Sequence, residues 1–238
     1  VTGVQTCALP ISLMTISKTE QQTHKVALFP IPNLVAFPGT FVPLHIFEPR
    51  YRRMVDDCVA NNLMIGVGHT QKEIRAAPSN QLREEAMNTN QATYQPHQIF
   101  SAGQCQIIET LEDGRVHVVI EINKRLLLGE EVQTLPYRIV KATEVIDSDR
   151  DSVNDTENEI FQLQAAINNA LIEITTSDHP SMAEAFAQHE WLAQLPDEFS
   201  FRVFQFLRFD PDLMQEVLET ANIRDRLRTI ADLVGVAS

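Results

Sequence analysis

Two spacings of apolar side chains follow one another along the chain. From Lys25 to Ile146 they come in short alternating or continuous runs cut by Pro, Gly and Asn, the pattern of strands in a compact sheet domain. These runs predict strands at Val26–Phe29, Phe41–Ile46, Leu63–His69, Phe100–Glu109, Arg115–Ile122, Arg125–Leu128 and Tyr137–Glu144. One stretch in this half reads as a helix: Pro49 suits its first turn, Tyr51, Met54, Val55, Cys58 and Val59 make one apolar face, and Asn61 and Asn62 end it. Gln106–Thr110 and Arg115–Ile122 should form a hairpin across Glu112, Asp113 and Gly114, because glycine accepts the positive φ of a tight reversal. Val116, Val118, Ile120 and Ile122 then share one face. The polar stretch Gln71–Pro96 predicts a long excursion between strands, with a short helix at Ser79–Met87.

Residues 147–159, rich in Asp, Ser and Asn, predict a solvated acidic linker and mark the domain boundary. Beyond them the period becomes helical. Ile160, Leu163, Ile167, Leu171 and Ile174 recur every three or four residues, and amphipathic segments continue at Met182–Ala193, Asp197–Leu207, Pro211–Thr220 and Ile223–Val234. Asp210 followed by Pro211 gives a helix start, and Asn222 with Asp225 gives a weaker one. The chain thus divides into a β domain at 25–146, the linker, and a helical subdomain at 160–238. Ahead of them, residues 13–24 form a polar tail. The first twelve are read as an artefact of sequence assembly, since Val1–Ile11 is what a common sequencing adapter would encode. The same segment makes a poor signal peptide, with no basic start and an apolar run broken by Gln5, Thr6 and Pro10.

Charge sharpens the division. The net charge of −13 is concentrated beyond residue 146, where 18 acidic residues face 6 basic ones. Such a surface repels phosphate backbones, so nucleic acid and anionic membranes are disfavoured as partners. No apolar run approaches the roughly 18 residues of a membrane span. Outside the leader only Cys58 and Cys105 remain, with no Cys or His at ligand spacing, which suits free, buried thiols in a reducing cytoplasm; a disulfide between them stays open.

After Ala27 the chain reads LFPIPNLVAFPGTFVPLHIFEPRYRRMV. This resembles the recurring LFPLPxxVLFPGxxxPLxIFExRYxxMV opening of the Lon protease N-terminal (LON substrate-binding) domain. Gly103 to Ile107, Asp113 to Arg115, Pro136 with Tyr137, Leu195 with Pro196, Gln215, Leu218 with Glu219, and Arg226 with Leu227 resemble later parts of that family. The resemblance implies an α+β fold, a PUA-like β pseudo-barrel followed by an α-helical bundle. It further implies a non-catalytic, cytoplasmic protein that binds unfolded or client polypeptides and serves a separate protease or chaperone. No GxxxxGK[ST] loop is present, and no stretch remains after Val234 for a Ser/Lys peptidase, so the domain is expected to stand alone. A small-molecule enzyme and a structural adaptor docking on a folded partner are the rival readings.

The residues themselves suggest no catalytic group, cofactor or metal. His45, His69, His97, His117, His179 and His189 show no HxxxH or HExxH spacing. Asp147, Asp149 and Asp151 begin like a calcium loop, but Ser152 stands where glycine is needed and Asn158 where Glu is needed. Gly66 and Gly68 lack the third glycine of a nucleotide fingerprint. Two features suggest client contact instead. Phe199, Phe201, Phe204, Phe206 and Phe209 are too many for one face of a helix; burial between the halves is the favoured reading, and an exposed client patch containing Phe199, Phe201, Phe206 and Phe209 is the functional one. Arg52 and Arg53 can pair with Asp56 and Asp57 at i,i+4, whereas Arg50 meets Met54 and so becomes the candidate for a client or an internal carboxylate.

Deleting Val1–Ser12 should leave the melting temperature unchanged; a fall of several degrees would show that the segment packs on the fold.

Overall fold

The computed structural model describes residues 22–76, 91–148 and 155–236. The leader, most of the polar tail, the helix expected at Ser79–Met87 and residues 149–154 of the acidic linker lie outside them; residues 155–159, expected to be linker, instead begin the helix Asp155–Thr176, so the helical half starts five residues earlier than its apolar period indicates. No helix among the described residues is long and apolar enough to cross a membrane.

The sheet half contains β1 (Thr23–Pro30), β2 (Phe41–Ile46), α1 (Pro49–Asn61), β3 (Met64–Gly68), β4 (Thr70–Arg75), β5 (Thr93–Pro96), β6 (Ile99–Thr110), β7 (Val116–Gln133) and β8 (Arg138–Glu144). Strand order is β2-β7-β6-β3-β1-β8, and a further pairing of β7 with β8 closes the last five into a ring. Only β1 and β3 run parallel; the other pairs in this ring are antiparallel. Closure needs a strand long enough to have different neighbours at its two ends. β7 is that strand: the two runs expected at Arg115–Ile122 and Arg125–Leu128 are one continuous element of 18 residues. Its first half pairs with β2 and β6, its second half with β8.

The β6–β7 hairpin has the expected register, with Thr110 opposite Val116 and Gly114 at φ +80°. Val116, Val118, Ile120 and Ile122 are all buried, packed with Met54, Val55 and Cys58 of α1. The excursion expected over Gln71–Pro96 is structured at both ends, where β4 and β5 pair as a separate two-stranded sheet. Its strands escaped prediction because β4 is polar and mostly exposed, so it carries no alternation to read. Thr23 and His24, assigned to the polar tail, already belong to β1 and pair with Thr143 and Ala142.

The helical half comprises α2 (Asp155–Thr176), α3 (Pro180–Phe186), α4 (His189–Leu192), α5 (Pro196–Arg202) with a 3₁₀ turn at Val203–Gln205, α6 (Pro211–Glu219) and α7 (Ile223–Leu233). The caps of α6 and α7 are the expected ones: Asp210 accepts from the Asp212 amide, and Asn222 from that of Asp225. The segment expected as one helix at Met182–Ala193 is split, and its two pieces bring Phe186 and Trp191 together at 5.3 Å between ring centroids.

Two of the contacts that join the halves lie side by side, at the Phe201 ring. Phe37, in the loop between β1 and β2, leaves the sheet half to stack on Phe204 at 4.1 Å within the helical core. Beside it lies a charged cluster. Asp147 was expected at the start of a solvated linker; its side chain is instead only 10 % exposed and accepts from Arg125 of β7 at 2.5 Å and from Arg226 of α7 at 2.8 and 2.9 Å. Arg226 is fully buried, lies 4.1 Å over the Phe201 ring, and donates further to Ser200 Oγ and the Thr220 carbonyl. Arg125 reaches the Leu218 and Thr220 carbonyls. Those carbonyls are at the negative end of α6, so they help to balance the second guanidinium that one carboxylate leaves uncompensated.

Burial alone would raise the Asp147 pKa, but the bonds from Arg226 and Arg125 outweigh it and hold the carboxyl below its ordinary value. A depressed carboxyl pKa contributes stability that is present above the unfolded value of about 3.9 and is lost as pH falls through the folded value. Replacing Asp147 by Asn should therefore cost about 3–5 kcal/mol in urea denaturation at pH 7, because two buried cations lose their anion. The gap between wild type and Asp147→Asn should narrow in the same assay as the pH drops below about 4.

Candidate functional site

The turn after Phe37 sets the entrance to a cleft between the halves. Gly39 has φ +79°, and a Cβ there would meet the Arg202 side chain at 2.9 Å, so glycine permits both the turn and the close approach of α5. Backbone bonds between Gly39 and Ile122, and between Thr40 and Ile122, tie this turn to β7. Phe41 follows at the start of β2, an edge strand, and is 62 % exposed.

The cleft has a volume of about 530 Å³ and is lined by this turn, by Glu121, Ile122, Asn123 and Arg125 of β7, by Glu144 at the end of β8 and the Val145–Asp147 segment after it, and by Asp197, Glu198, Phe201 and Arg202 of α5. Phe41, Val145, Ile146 and Phe201 give it apolar surface. Asp147 is shared by Arg125 and Arg226, and Lys124 pairs with Glu144 at 2.8 Å. Glu121, Asp197 and Glu198 remain against Arg202, so the rim is acidic. The lining residues include no Ser, Cys, His or Lys. A volume in the roughly 300–1,000 Å³ range of ligand clefts, with apolar walls and a charged edge, suits a few side chains of an extended segment.

The phenylalanine cluster is divided as its density required. Phe199 and Phe201 are buried, which corrects their reading as an exposed client patch: they belong to the helical core because Phe37, Trp191 and Phe204 surround them. They face different grooves nonetheless. Phe201 lines the cleft described above, whereas Phe199 lines a smaller one of about 230 Å³ bordered by Phe161, Asn168, Trp191 and Leu192. Phe206 is partly buried against Phe186 and Trp191, and Phe209 against Phe204.

Arg50 lies in a third groove, of about 320 Å³, beside Arg75, Tyr51 and Arg138. Of its two expected kinds of partner, the structure supplies the internal one. The side chain is 13 % exposed, pairs with Glu48 at 2.9 Å, and donates to Thr93 Oγ1 and the Ala92 carbonyl. Burial raises the Glu48 pKa, an effect that the Gln91 amide and Arg50 only partly offset. Arg50 therefore ties α1 to the start of β5. Arg53 pairs with Asp57 as expected, but Arg52 turns to the Asp113 carbonyl of the hairpin. Cys58 and Cys105 are both free, and burial pushes their thiols up to about 12 and about 11, leaving little nucleophilic thiolate at neutral pH.

Phe41, Ile146, Asp197 and Glu198 were not singled out in the sequence. Phe41 and Ile146 stand at strand ends, where an apolar residue looks the same whether it meets a core or a cleft. The cleft forms between segments distant in sequence, which Phe37 and Asp147 help to bring together.

A model of the ATP-dependent protease La (LON) substrate-binding domain matches residues 25–235. Lon protease 1 of Herpetosiphon aurantiacus is 22% identical over 219 residues, which cover 92% of this chain and 25% of that protein. Lon protease of Syntrophus aciditrophicus is 25% identical over 222 residues, covering 92% and 26%. This chain thus spans about a quarter of the length of these relatives. Among solved structures, the N-terminal domain of Mycobacterium avium complex Lon protease superposes with a TM-score of 0.60 at 17% identity, over 89% of this chain and 98% of that one. A Lon N-terminal domain protein from Xanthomonas campestris gives 0.53 at 16% identity, over 87% and 97%.

The buried contacts of Arg50 reverse what an exposed side chain would do. Arg50→Ala should lower stability by about 1–3 kcal/mol in chemical denaturation, since it strips Glu48 of its cation and leaves two β5-side acceptors unmet.

Proposed function

Because the chain belongs to the Lon substrate-binding domain family, we propose that it binds unfolded or partly unfolded polypeptide, without catalysis of its own, in the cleft between its sheet and helical halves. The observation that carries this reading is the lining of that cleft: apolar surface from Phe41, Ile146 and Phe201 beneath a rim where Glu121, Asp197 and Glu198 outnumber Arg202. Apolar contacts supply affinity without demanding one sequence, and the acidic rim favours segments that carry Lys or Arg. Addition of a strand to the free edge of β2 is the less favourable mode, because Pro43 has no amide to offer there. A flexible segment loses conformational freedom on binding, so the affinity should be micromolar unless several sites act together.

Fluorescence anisotropy of a labelled, permanently unfolded protein tests this. Binding should saturate in the micromolar range and weaken with salt, since the rim is exposed. Phe41→Ser should reduce affinity several-fold while leaving the melting temperature within a degree or two, because an exposed side chain contributes little to the core. No saturable signal up to high micromolar concentration defeats the polypeptide reading. Binding that ignores Phe41→Ser but is lost in Leu192→Ser moves the site to the groove over Phe199. The same preparation should turn over neither ATP nor unfolded protein; activity that is abolished by a single substitution in the cleft would favour the enzyme reading.

A further inference from the structure

Away from the cleft, four side chains that are far apart in sequence meet where α6 docks on the sheet half. His69 joins β3 to β4, and His97 precedes β6; their rings are stacked at 5.2 Å, and the His97 amide donates to the His69 carbonyl. Asp212, in the first turn of α6, places Oδ1 3.2 Å from His69 Nε2. Glu219, at the last turn, places Oε1 3.3 Å from His97 Nδ1. One donor atom each from His69, His97 and Asp212 lies within 4.8 Å of the other two.

His69 is 5 % exposed, its Nε2 faces Asp212 Oδ1, and its Nδ1 has no hydrogen-bond partner among the described residues. In the Nδ1–H tautomer the Nε2 lone pair points at a carboxylate oxygen, two acceptors opposed. A metal ion between Nε2 and Oδ1 turns those opposed lone pairs into two ligand bonds, with the ring bound as a neutral imidazole. The His69–Asp212 spacing fits: ligands at about 2.0–2.2 Å from a tetrahedral zinc ion are separated by roughly 3.3 Å, and Nε2 and Oδ1 stand 3.2 Å apart. The His97 donor atom, within 4.8 Å of both, needs only a small side-chain movement to complete the set.

We propose that His69, His97 and Asp212, with Glu219 beside them, bind one zinc-class transition-metal ion that clamps α6 to the sheet half. Two imidazoles and a carboxylate select zinc, cobalt or nickel over magnesium and calcium, which prefer all-oxygen shells. The expectation of no metal site rested on local spacing, and no local spacing exists: these ligands come from two strand connections and one helix. Bound metal would fasten the N-terminal turn of α6, whose C-terminal carbonyls are already held by Arg125 and Arg226.

The test uses the full chain, freed of any purification tag and stripped with a chelator, titrated with zinc by calorimetry and with cobalt by visible absorption. Expected are saturation at one ion per chain, the visible bands of tetrahedral cobalt, and a higher melting temperature with zinc. Asp212→Asn alters an exposed side chain and His97→Gln a half-buried one, so both should fold; each should weaken binding at least about tenfold and abolish the thermal shift. His117→Gln, which removes another histidine paired with a carboxylate, should bind like wild type. Absence of stoichiometric binding in wild type, or wild-type binding by both His97→Gln and Asp212→Asn, overturns the proposal.

Discussion

Two guanidinium groups share one carboxylate in the interior of this protein, and the relation between its halves depends on that imbalance. Asp147 alone cannot neutralise Arg125 and Arg226, so the chain must bring further acceptors to them. It does so with the carbonyls at the end of α6 and with Ser200 of α5. The arginines thereby fix β7, the segment after β8, α5, α6 and α7 relative to one another. Charged groups are poor adhesives in general, because their desolvation consumes most of their attraction. They are strict about geometry, however, and a cleft whose walls come from two halves needs that strictness more than it needs added stability.

Phe37 supplies the complementary, undirected attachment. It is presented by the sheet half but lies, with Val35, in the core formed mainly by helical residues, so the helical core is incomplete without the loop between β1 and β2. Burial of the Phe37 ring is undirected, whereas the charged cluster imposes hydrogen-bond geometry. Between these two attachments lies the acidic, apolar-walled cleft, which neither half possesses by itself.

Much of this could be read in the sequence wherever the governing interaction is local. Gly114 announces its turn, Asp210 and Asn222 announce their helices, and the alternation from Val116 to Ile122 announces a buried face, because each signal concerns neighbours within a few residues. The resemblance carried by Leu28–Val55 supplied the family. Long-range partners left no such mark. Asp147 sits among acidic residues that look equally solvated, and nothing nearby says that two arginines from other segments will enclose it. Arg50 looked unmatched because helical spacing examines only i+4, whereas its anion lies two residues earlier and its other acceptors come from β5. The density of phenylalanines did imply two surfaces for α5, and Phe199 and Phe201 do line different grooves, although both are core residues. The histidines of the α6 junction were dismissed by a spacing rule that applies to ligands on one element.

β7 has a mechanical consequence. A single continuous strand borders the cleft near Glu121, carries Arg125, and continues into the ladder with β8. A force applied along its axis would load its hydrogen bonds to β6 and β8 lengthwise. Rows of hydrogen bonds pulled lengthwise must yield together, whereas rows pulled sideways open one at a time. The sheet should therefore resist a pull along β7 better than one across it, and the first element to give way should be β2, which is fastened along one side only.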